Sequence, residues 1–284
     1  MAVVAVVVHH DRPRAAEVAA TTIDWLRGLG HDVRVPTEDA DRIGRPELAV
    51  DDRDLAAGAD VALSLGGDGT MLRTVSLVAR SDVPVVGVNF GHLGYLTDVE
   101  PDGVQAALER VLAGDFRVEH RMLLAATVRQ AGEPVREVVA LNEVVLEKTT
   151  SGHTVRIDVE LDRARFTPYA ADALIVATPT GSTAYAFSAR GPIVDPTHRA
   201  LLLTPVSPHM LFDRTLVLDD DAVVGLTVGE PRSAALVVDG HSLCELAPGD
   251  TVTCRAAGHT ARLVVFGPRD FHAILKAKFG LADR

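Results

Sequence analysis

The chain contains few aromatic residues, few cysteines and no cluster of basic residues. Phe, Trp and Tyr make up only 4% of its 284 residues, and its formal net charge is -11. Proteins that bind nucleic acids carry clustered Lys and Arg, so this charge pattern excludes nucleic acid as a main partner. The length and the apolar content are sufficient for two domains with cores of their own.

The two cysteines, Cys244 and Cys254, flank a Pro-Gly-Asp turn and could face each other across a hairpin. With no further cysteines, we expect buried free thiols in a reducing compartment rather than a disulfide or a metal site, and no metal-ligating residues. The apolar run at 2–8 has no basic segment before it and is too short to span a bilayer. It predicts a first strand, a cytoplasmic protein and no membrane partner.

Several signature motifs are also absent. No GxGxxG follows the first apolar run, and the chain contains no GxxxxGK[ST], HExxH or GxSxG. Their absence argues against a conventional Rossmann dehydrogenase, a P-loop enzyme, a zincin and an α/β-hydrolase.

The N-terminal part alternates apolar strands with helical segments, which predicts a mostly parallel sheet covered by helices. Strands are expected at 2–8, 32–35, 61–65 and 84–88, and helices at 13–29 and 101–112. After residue 116 the pattern changes to short alternating runs broken by Gly, Pro and Asp, which predicts an antiparallel, β-rich domain. A final helix at 270–279 is expected to pack back on the first domain. The predicted domains are therefore 1–118 with 262–284, and 119–261.

The most informative segment is VALSLGGDGT at 61–70, an apolar strand that ends in a glycine-rich loop with one carboxylate. We expect its glycines to adopt positive φ and bring backbone N–H groups close to phosphate oxygens, with Thr70 capping the helix that follows. A carboxylate beside phosphates is repelled unless it holds a cation or accepts a proton. Asp68 therefore indicates phosphoryl transfer, although plain turns also contain this pattern.

Three further segments have the composition of binding loops. In the block at 172–192, a predicted strand runs into hydroxyl-rich TPTGST, where backbone groups could bind a polar ligand, and Tyr185 offers an aromatic face to a nucleoside. The pair Asn142-Glu143 combines donors and acceptors that suit ribose hydroxyls. NFGHLGYL at 89–96 follows a predicted strand at the carboxyl edge of the sheet, where ligands of α/β folds bind. Each segment also has an ordinary interpretation: a loop that satisfies its own backbone, a strand-edge pair and a chain reversal, respectively.

Together, four motifs resemble the NAD kinase family: GGDGT at 66–70, NFGHLGYL at 89–96, LNEVV at 141–145 and TPTGSTAYAFS at 178–188. Their order and spacing match over nearly the whole chain, and TPTGSTAY with an upstream Asn-Glu is the most specific part. The resemblance implies a Rossmann-like, phosphofructokinase-like α/β domain followed by a β-rich, sandwich-like domain. It also implies a homodimer or homotetramer that transfers a phosphoryl group, with Mg, from ATP or polyphosphate to the adenosine-ribose 2'-hydroxyl of NAD, giving NADP.

Residue roles follow from the same resemblance. Asp68 would be the base that accepts the hydroxyl proton, Asn142 and Glu143 would hold ribose hydroxyls, and Arg73 could meet phosphate. The remaining binding residues that the resemblance implies are Gly66, Gly67, Gly69, Phe90, His153, Asp172, Thr183, Ala184, Tyr185, Ser188, Ser207 and His241. The chain departs from the family pattern at Ala173, Arg190, Thr215 and His241. Arg190 could alter the choice of donor or the preference for NAD over NADH.

Two other functions are considered. A lipid kinase of the diacylglycerol or sphingoid type would also carry GGDG, but it leaves TPTGSTAY and Asn142-Glu143 unexplained. A dinucleotide sensor without catalysis is disfavoured because Asp68 is intact.

Overall fold

The computed structural model describes residues 1–91 and 94–281. His92 and Leu93 of the NFGHLGYL motif, and the last three residues, lie outside the described part. The helices are α1 (Pro13–Gly28), α2 (Thr37–Arg42), α3 (Asp68–Val78), α4 (Val104–Leu112), α5 (Tyr185–Ser188) and α6 (Phe271–Phe279). The strands are β1 (Val3–Val8), β2 (Asp32–Pro36), β3 (Ala49–Val50), β4 (Val61–Gly66), β5 (Val85–Asn89), β6 (Arg117–Arg129), β7 (Arg136–Ala140), β8 (Glu143–Lys148), β9 (Val155–Leu161), β10 (Ala164–Ala171), β11 (Ala173–Ala177), β12 (Leu201–Val206), β13 (Leu216–Leu218), β14 (Val224–Val228), β15 (Ala234–Val238), β16 (His241–Leu246) and β17 (Thr251–Val265).

The chain forms two compact units. Unit 1 comprises Met1–His120 and the segment that begins at Ala261, and unit 2 comprises Arg121–Thr260. None of the helices in the described ranges is long and apolar enough to cross a membrane.

Unit 1 has a parallel sheet in the order β3-β2-β1-β4-β5. Nearly every residue of β1, β4 and β5 is buried, because helices cover a parallel sheet on both faces. The chain runs from β1 to β2 on one side and later adds β4 on the other side of β1. The direction of winding therefore reverses between β1 and β4, which is where ligands of such sheets bind.

The C-terminal helix contributes to unit 1. Asp270 caps α6 by accepting a hydrogen bond from the backbone N–H of Ala273 at 2.9 Å. The ring of Phe271 lies 6.5 Å from that of Tyr95, and Lys278 Nζ lies 4.0 Å from the Tyr95 ring centroid. The helix thus packs beside the loop that follows β5.

Unit 2 is built from antiparallel strands. One layer contains β10, β9, β14 and the first part of β17, and the other is a six-stranded sheet in the order β13-β12-β11-β8-β15-β16. Alternate apolar side chains of both layers form one buried cluster, as in a β-sandwich. The expected α/β and β-rich architecture is confirmed.

The cysteine prediction is partly wrong. Both thiols are free, but they do not face each other across a hairpin. Cys244 pairs with Leu236 in the six-stranded sheet, whereas Cys254 pairs with Val224 in the other layer. The Pro-Gly-Asp turn carries the chain from one layer to the other rather than closing a two-stranded hairpin.

Candidate active site

The GGDGT segment connects β4 directly to α3. Gly66 ends the strand, Gly67 is the N-cap with φ -153°, and Asp68 is the first helical residue. None of the three glycines has a positive φ, so that prediction is wrong. Thr70 does not cap the helix either, because the helix begins two residues earlier. Glycine is required at position 66 for another reason: a Cβ there would lie 2.0 Å from the Thr70 hydroxyl oxygen.

The carboxylate of Asp68 is fixed by the loop after β5. One oxygen accepts a hydrogen bond from the backbone N–H of Tyr95 at 2.9 Å, and the other accepts one from Leu96 at 3.0 Å. Gly94 permits this approach, because a Cβ at that position would lie 2.5 Å from Asp68 Oδ1. Each carboxylate oxygen keeps further capacity to accept a proton or a hydrogen bond. Burial, and secondarily the charge of Asp68, raise the pKa of Tyr95.

The space beside this carboxylate is open on the glycine side. A Cβ at Gly67 or at Gly69 would meet no atom of the described residues within 4 Å. Small residues at these positions leave the first turn of α3 accessible to a ligand.

Arg73 is engaged within unit 1. Its guanidinium donates to both oxygens of Asp39, at 2.8 and 2.9 Å. Asp39 is 1% exposed and also accepts the backbone N–H of Val8 at 2.8 Å. The resemblance implies that Arg73 meets phosphate, but a buried aspartate holds its guanidinium. A phosphate could therefore bind only to the N–H groups of Arg73 that Asp39 does not use. Phe90 packs against the core, and its N–H donates to the Gly66 carbonyl at 2.7 Å.

In unit 2, Asn142 and Glu143 lie at the start of β8. Asp239, at the turn between β15 and β16, accepts the backbone N–H groups of Leu141, Asn142 and Glu143 at 2.8, 2.8 and 3.0 Å. The sequence analysis did not single out Asp239, although an Asp-Gly pair after an apolar strand is a turn signal. This aspartate fixes the backbone of the Asn-Glu pair.

The Glu143 side chain is the most perturbed acid of this region. It is buried, and its Oε2 atom has no hydrogen-bond partner among the described residues. Burial, and then the neighbouring Asp239, raise its pKa to about 8, while the backbone N–H of Tyr185 opposes the shift. Burial also raises the pKa of Asp239. A buried carboxyl oxygen without a partner is a position where a ligand hydroxyl would be favourable.

The loop after β11 packs directly on this pair. A Cβ at Gly181 would lie 2.2 Å from the Asn142 carbonyl oxygen, so only glycine fits there. The hydroxyls of Thr178, Ser182 and Thr183 bond to protein backbone, at the carbonyls of Leu141, Val194 and Thr180. Two of these hydroxyls bond to the loop's own backbone: Thr183 donates to Thr180, and Thr178 also accepts the N–H of Gly181. Ser182 bonds to Val194 outside the loop. The residues of this segment that remain available to a ligand are Ala184, Tyr185 and Ser188, of which Tyr185 and Ser188 are exposed.

Asp172 lies at the opposite end of the same strands. It precedes β11, whose Ala177 pairs with Glu143 and whose Ala173 pairs with Glu147. About four residues of strand, or roughly 13 Å, separate the two positions. Lys148 Nζ donates to Asp172 Oδ1 at 2.6 Å. Burial and the charges of Glu147 and Asp172, with a smaller effect of Glu143, raise the pKa of Tyr185.

The other predicted residues of unit 2 lie around this sheet. Ser188, Arg190 and Ser207 line a cavity of about 680 Å³. His241 opens β16 next to Asp239, and its charge favours the ionised form of that carboxyl group. His153 is exposed, with Nδ1 3.2 Å from Arg232 Nη2. In the described ranges, no group of three or more His, Cys, Asp or Glu side chains could hold a metal ion.

Comparison with known proteins defines the family. A family model described as the ATP-NAD kinase N-terminal domain matches residues 4–116, and the ATP-NAD kinase C-terminal domain matches residues 141–266. The NAD kinase of Heliobacterium modesticaldum is 43% identical over 98% of this chain and 98% of its own length. That of Symbiobacterium thermophilum is 40% identical over 96% of this chain and 97% of its own.

Solved structures agree with these matches. The crystal structure of yeast NADH kinase complexed with NADH has a TM-score of 0.90 and 25% identity, and the match covers 100% of this chain and 89% of that one. An NAD kinase from Archaeoglobus fulgidus, solved in complex with ATP, shares the fold with a TM-score of 0.73 at 24% identity, over 98% of this chain and 97% of that one.

The fold and these matches define a two-domain phosphotransferase that acts on a nucleotide cofactor. The chain belongs to the NAD kinase family. Neither the lipid kinase nor the silent sensor finds support among these relatives.

Proposed function

We propose that the protein transfers the terminal phosphoryl group of ATP or polyphosphate to the 2'-hydroxyl of the adenosine ribose of NAD. The 2'-oxygen forms a bond to phosphorus as the bond to the bridging oxygen of the donor breaks. The hydroxyl proton passes to Asp68 and then to solvent, so the products are NADP and the donor shortened by one phosphate.

The observation that carries this proposal is the clamped carboxylate of Asp68. Two backbone N–H groups fix both of its oxygens, at 2.9 and 3.0 Å, beside two glycines with open space around them. A base held in this way is already oriented when the hydroxyl arrives. Since phosphoryl transfer depends mainly on positioning and charge stabilisation, one oriented base and a place for the donor suffice.

For the acceptor, we propose that Asn142 and Glu143 bind ribose hydroxyls. Glu143 Oε2 is buried and has no hydrogen-bond partner in the part of the chain that the structure describes, so a ligand hydroxyl would supply one. Tyr185 offers its exposed ring to the nucleoside, while Asp172, Ser188, Ser207, His153 and His241 remain proposed contacts of the dinucleotide. Thr183 and Ala184 would contribute through their backbone.

The described side chains do not form a self-sufficient metal cage. This fits Mg²⁺ that enters with the donor phosphates, because Mg²⁺ at phosphoryl-transfer sites is bound by substrate phosphates with one or two carboxylates. Mg²⁺ bound there would neutralise charge on the phosphates. Asp68 is the acidic side chain of the loop that could also contact it.

We further propose a homodimer or homotetramer that acts in the cytoplasm. Unit 2 exposes a group of apolar side chains, including the edge-to-face pair Phe166 and Phe212 with ring centroids 5.9 Å apart, and the fully exposed Leu211. Exposed apolar patches of this kind mark protein interfaces. The free thiols of Cys244 and Cys254 suit a reducing compartment.

The direct test is a coupled assay for NADP with purified protein, with ATP and polyphosphate compared side by side, each with and without Mg²⁺. NAD and NADH are supplied in parallel as acceptors. We expect Mg²⁺-dependent NADP formation from NAD with at least one donor. Protein that binds NAD but forms no NADP with any donor would contradict the proposal.

A further inference from the structure

A cavity of about 320 Å³ opens at the carboxyl end of β1, and no role above uses it. His9, His10 and Arg12 line it from the loop after β1, and Arg42 lines it from α2. It lies wholly within unit 1, which also contains Asp68.

Strand order places this cavity beside the GGDGT segment. The backbone N–H of His9 donates to the carbonyl of Leu65 at 2.9 Å, one residue before the first glycine. The cavity therefore adjoins the reversal of winding between β1 and β4, where the loops of neighbouring strands separate and leave a crevice for a ligand.

The charge around the cavity favours an anion. Arg12 and Arg42 face two aspartates in the lining, and the two histidines add ring nitrogens, although the chain as a whole carries a charge of -11. Asp39, one of the two, is already neutralised by Arg73. Arg42 pairs with Glu38 at 2.7 Å, but both side chains are well exposed, so exchanging this partner for a phosphate costs little.

Two lining side chains are held in place as hydrogen-bond donors. Arg12 Nη1 donates to the Phe90 carbonyl at 2.5 Å, and the absence of a Cβ at Gly91 leaves room for it. His9 Nδ1 accepts the backbone N–H of Asp11 at 3.0 Å, and burial followed by the charge of Arg12 lowers its pKa. The ring of His9 is thus neutral at pH 7, with its proton on Nε2.

The loop after β5 closes one side of Asp68. On the β5 side, the backbone of Tyr95 and Leu96 contacts both carboxylate oxygens and occupies the space. The cavity lies on the side of β1, and its lining residue Asp39 pairs with Arg73 of α3, the helix that begins at Asp68. The phosphates of a donor that meets a hydroxyl at Asp68 can therefore extend toward the cavity.

We propose that this cavity binds the phosphate chain of the phosphoryl donor and that the donor is recognised by its phosphates rather than by a nucleobase. The inference rests on the proposed function. The volume of the cavity is at the lower end of the range for ligand sites, roughly 300–1,000 Å³. Among the described residues that line it, none is Phe, Tyr or Trp, so a base has no aromatic ring to stack on.

The test compares His10→Ala and Arg12→Gln with the control Arg14→Ala. Arg14 is an exposed arginine near the same loop that does not line the cavity and instead pairs with Asp102 at the surface. Calorimetry measures the Kd of a non-hydrolysable ATP analogue with Mg²⁺ and, separately, the Kd of NAD. Steady-state assays measure KM for ATP, GTP and inorganic triphosphate at saturating NAD.

For each cavity variant, we expect the analogue Kd and all three donor KM values to rise about tenfold, the usual effect of losing one charge-assisted hydrogen bond. NAD affinity should not change in His10→Ala, and neither NAD nor donor binding should change in the control; Arg12→Gln is compared on donor binding alone, because Arg12 also holds the Phe90 carbonyl. The wild type should use ATP and GTP with kcat/KM values within about threefold of each other. Unchanged donor binding in both cavity variants, an equal loss in the control, or a strong preference for one nucleobase would overturn the inference. Binding of the analogue requires no turnover, so this result is separable from a failure to form NADP.

Discussion

Replacing Glu143 with glutamine should change how the stability of the protein depends on pH. In the folded protein the pKa of Glu143 is about 8, compared with an ordinary value of 4.5. Between these two pH values the folded chain holds a proton that the unfolded chain has released. The free energy of unfolding therefore falls as pH rises through this window, by up to about 1.4 kcal/mol per pH unit from this residue alone.

Glutamine has nearly the same shape and cannot ionise, so Glu143→Gln removes this slope. Urea titrations followed by far-UV circular dichroism at pH 5, 6, 7 and 8 give the free energy of unfolding of each protein. In the difference between the two free energies of unfolding, the contributions of other titrating groups cancel. The free energy of unfolding of the variant should rise relative to that of the wild type by about 1 kcal/mol per pH unit toward pH 8. Asn142→Ala changes the preceding residue, which does not titrate, and leaves Glu143 in place. Its difference in free energy of unfolding from the wild type should therefore be the same at every pH. Parallel curves for wild type and Glu143→Gln would refute the assignment of a buried, protonated carboxyl group.

Three other substitutions test the packing that builds the sites. Gly94→Ala places a methyl group 2.5 Å from Asp68 Oδ1, so turnover should fall at least about tenfold while the melting temperature changes little; normal kcat would mean that the carboxylate need not be clamped. Gly181→Ala meets a backbone carbonyl at 2.2 Å and should cost at least about 2 kcal/mol in a denaturation titration, whereas wild-type stability would show that the loop moves freely. Arg73→Ala leaves Asp39 buried without its ion-pair partner and should destabilise the fold by about 3 kcal/mol; a double variant that also carries Asp39→Asn should recover part of this loss, and no recovery would exclude the pairing as the cause.

The sequence predicted most of the architecture of unit 1 because β1, β4 and β5 are nearly continuous apolar runs and β2 alternates apolar with charged residues. The four strands expected there appear within one residue of the predicted bounds. The same patterns could not predict the backbone conformation of the glycines in GGDGT. Glycine serves equally for positive φ and for close approach, and only the position of Thr70 relative to Gly66 shows that close approach is the reason here.

The candidate site was predictable as a set of motifs but not as an arrangement. Nothing in the sequence indicates that Asp239 would accept three backbone N–H groups beside Glu143, because the pairing of β15 with β8 brings them together across about 96 residues. Nor could sequence spacing show that Asp172 lies at the far end of β11 from the Asn-Glu pair. Antiparallel register, set by long-range packing, decides both.

The measurement that tests the account most directly is the turnover of Asp68→Asn at saturating ATP, Mg²⁺ and NAD. Asparagine keeps one oxygen for the clamping N–H groups but cannot accept the hydroxyl proton, so kcat should fall at least about 100-fold. NAD affinity measured by calorimetry should stay within about twofold, and stability should change by about 1 kcal/mol for the one lost hydrogen bond. A variant that folds, binds NAD and turns over at nearly the wild-type rate would contradict the assignment of Asp68 as the base.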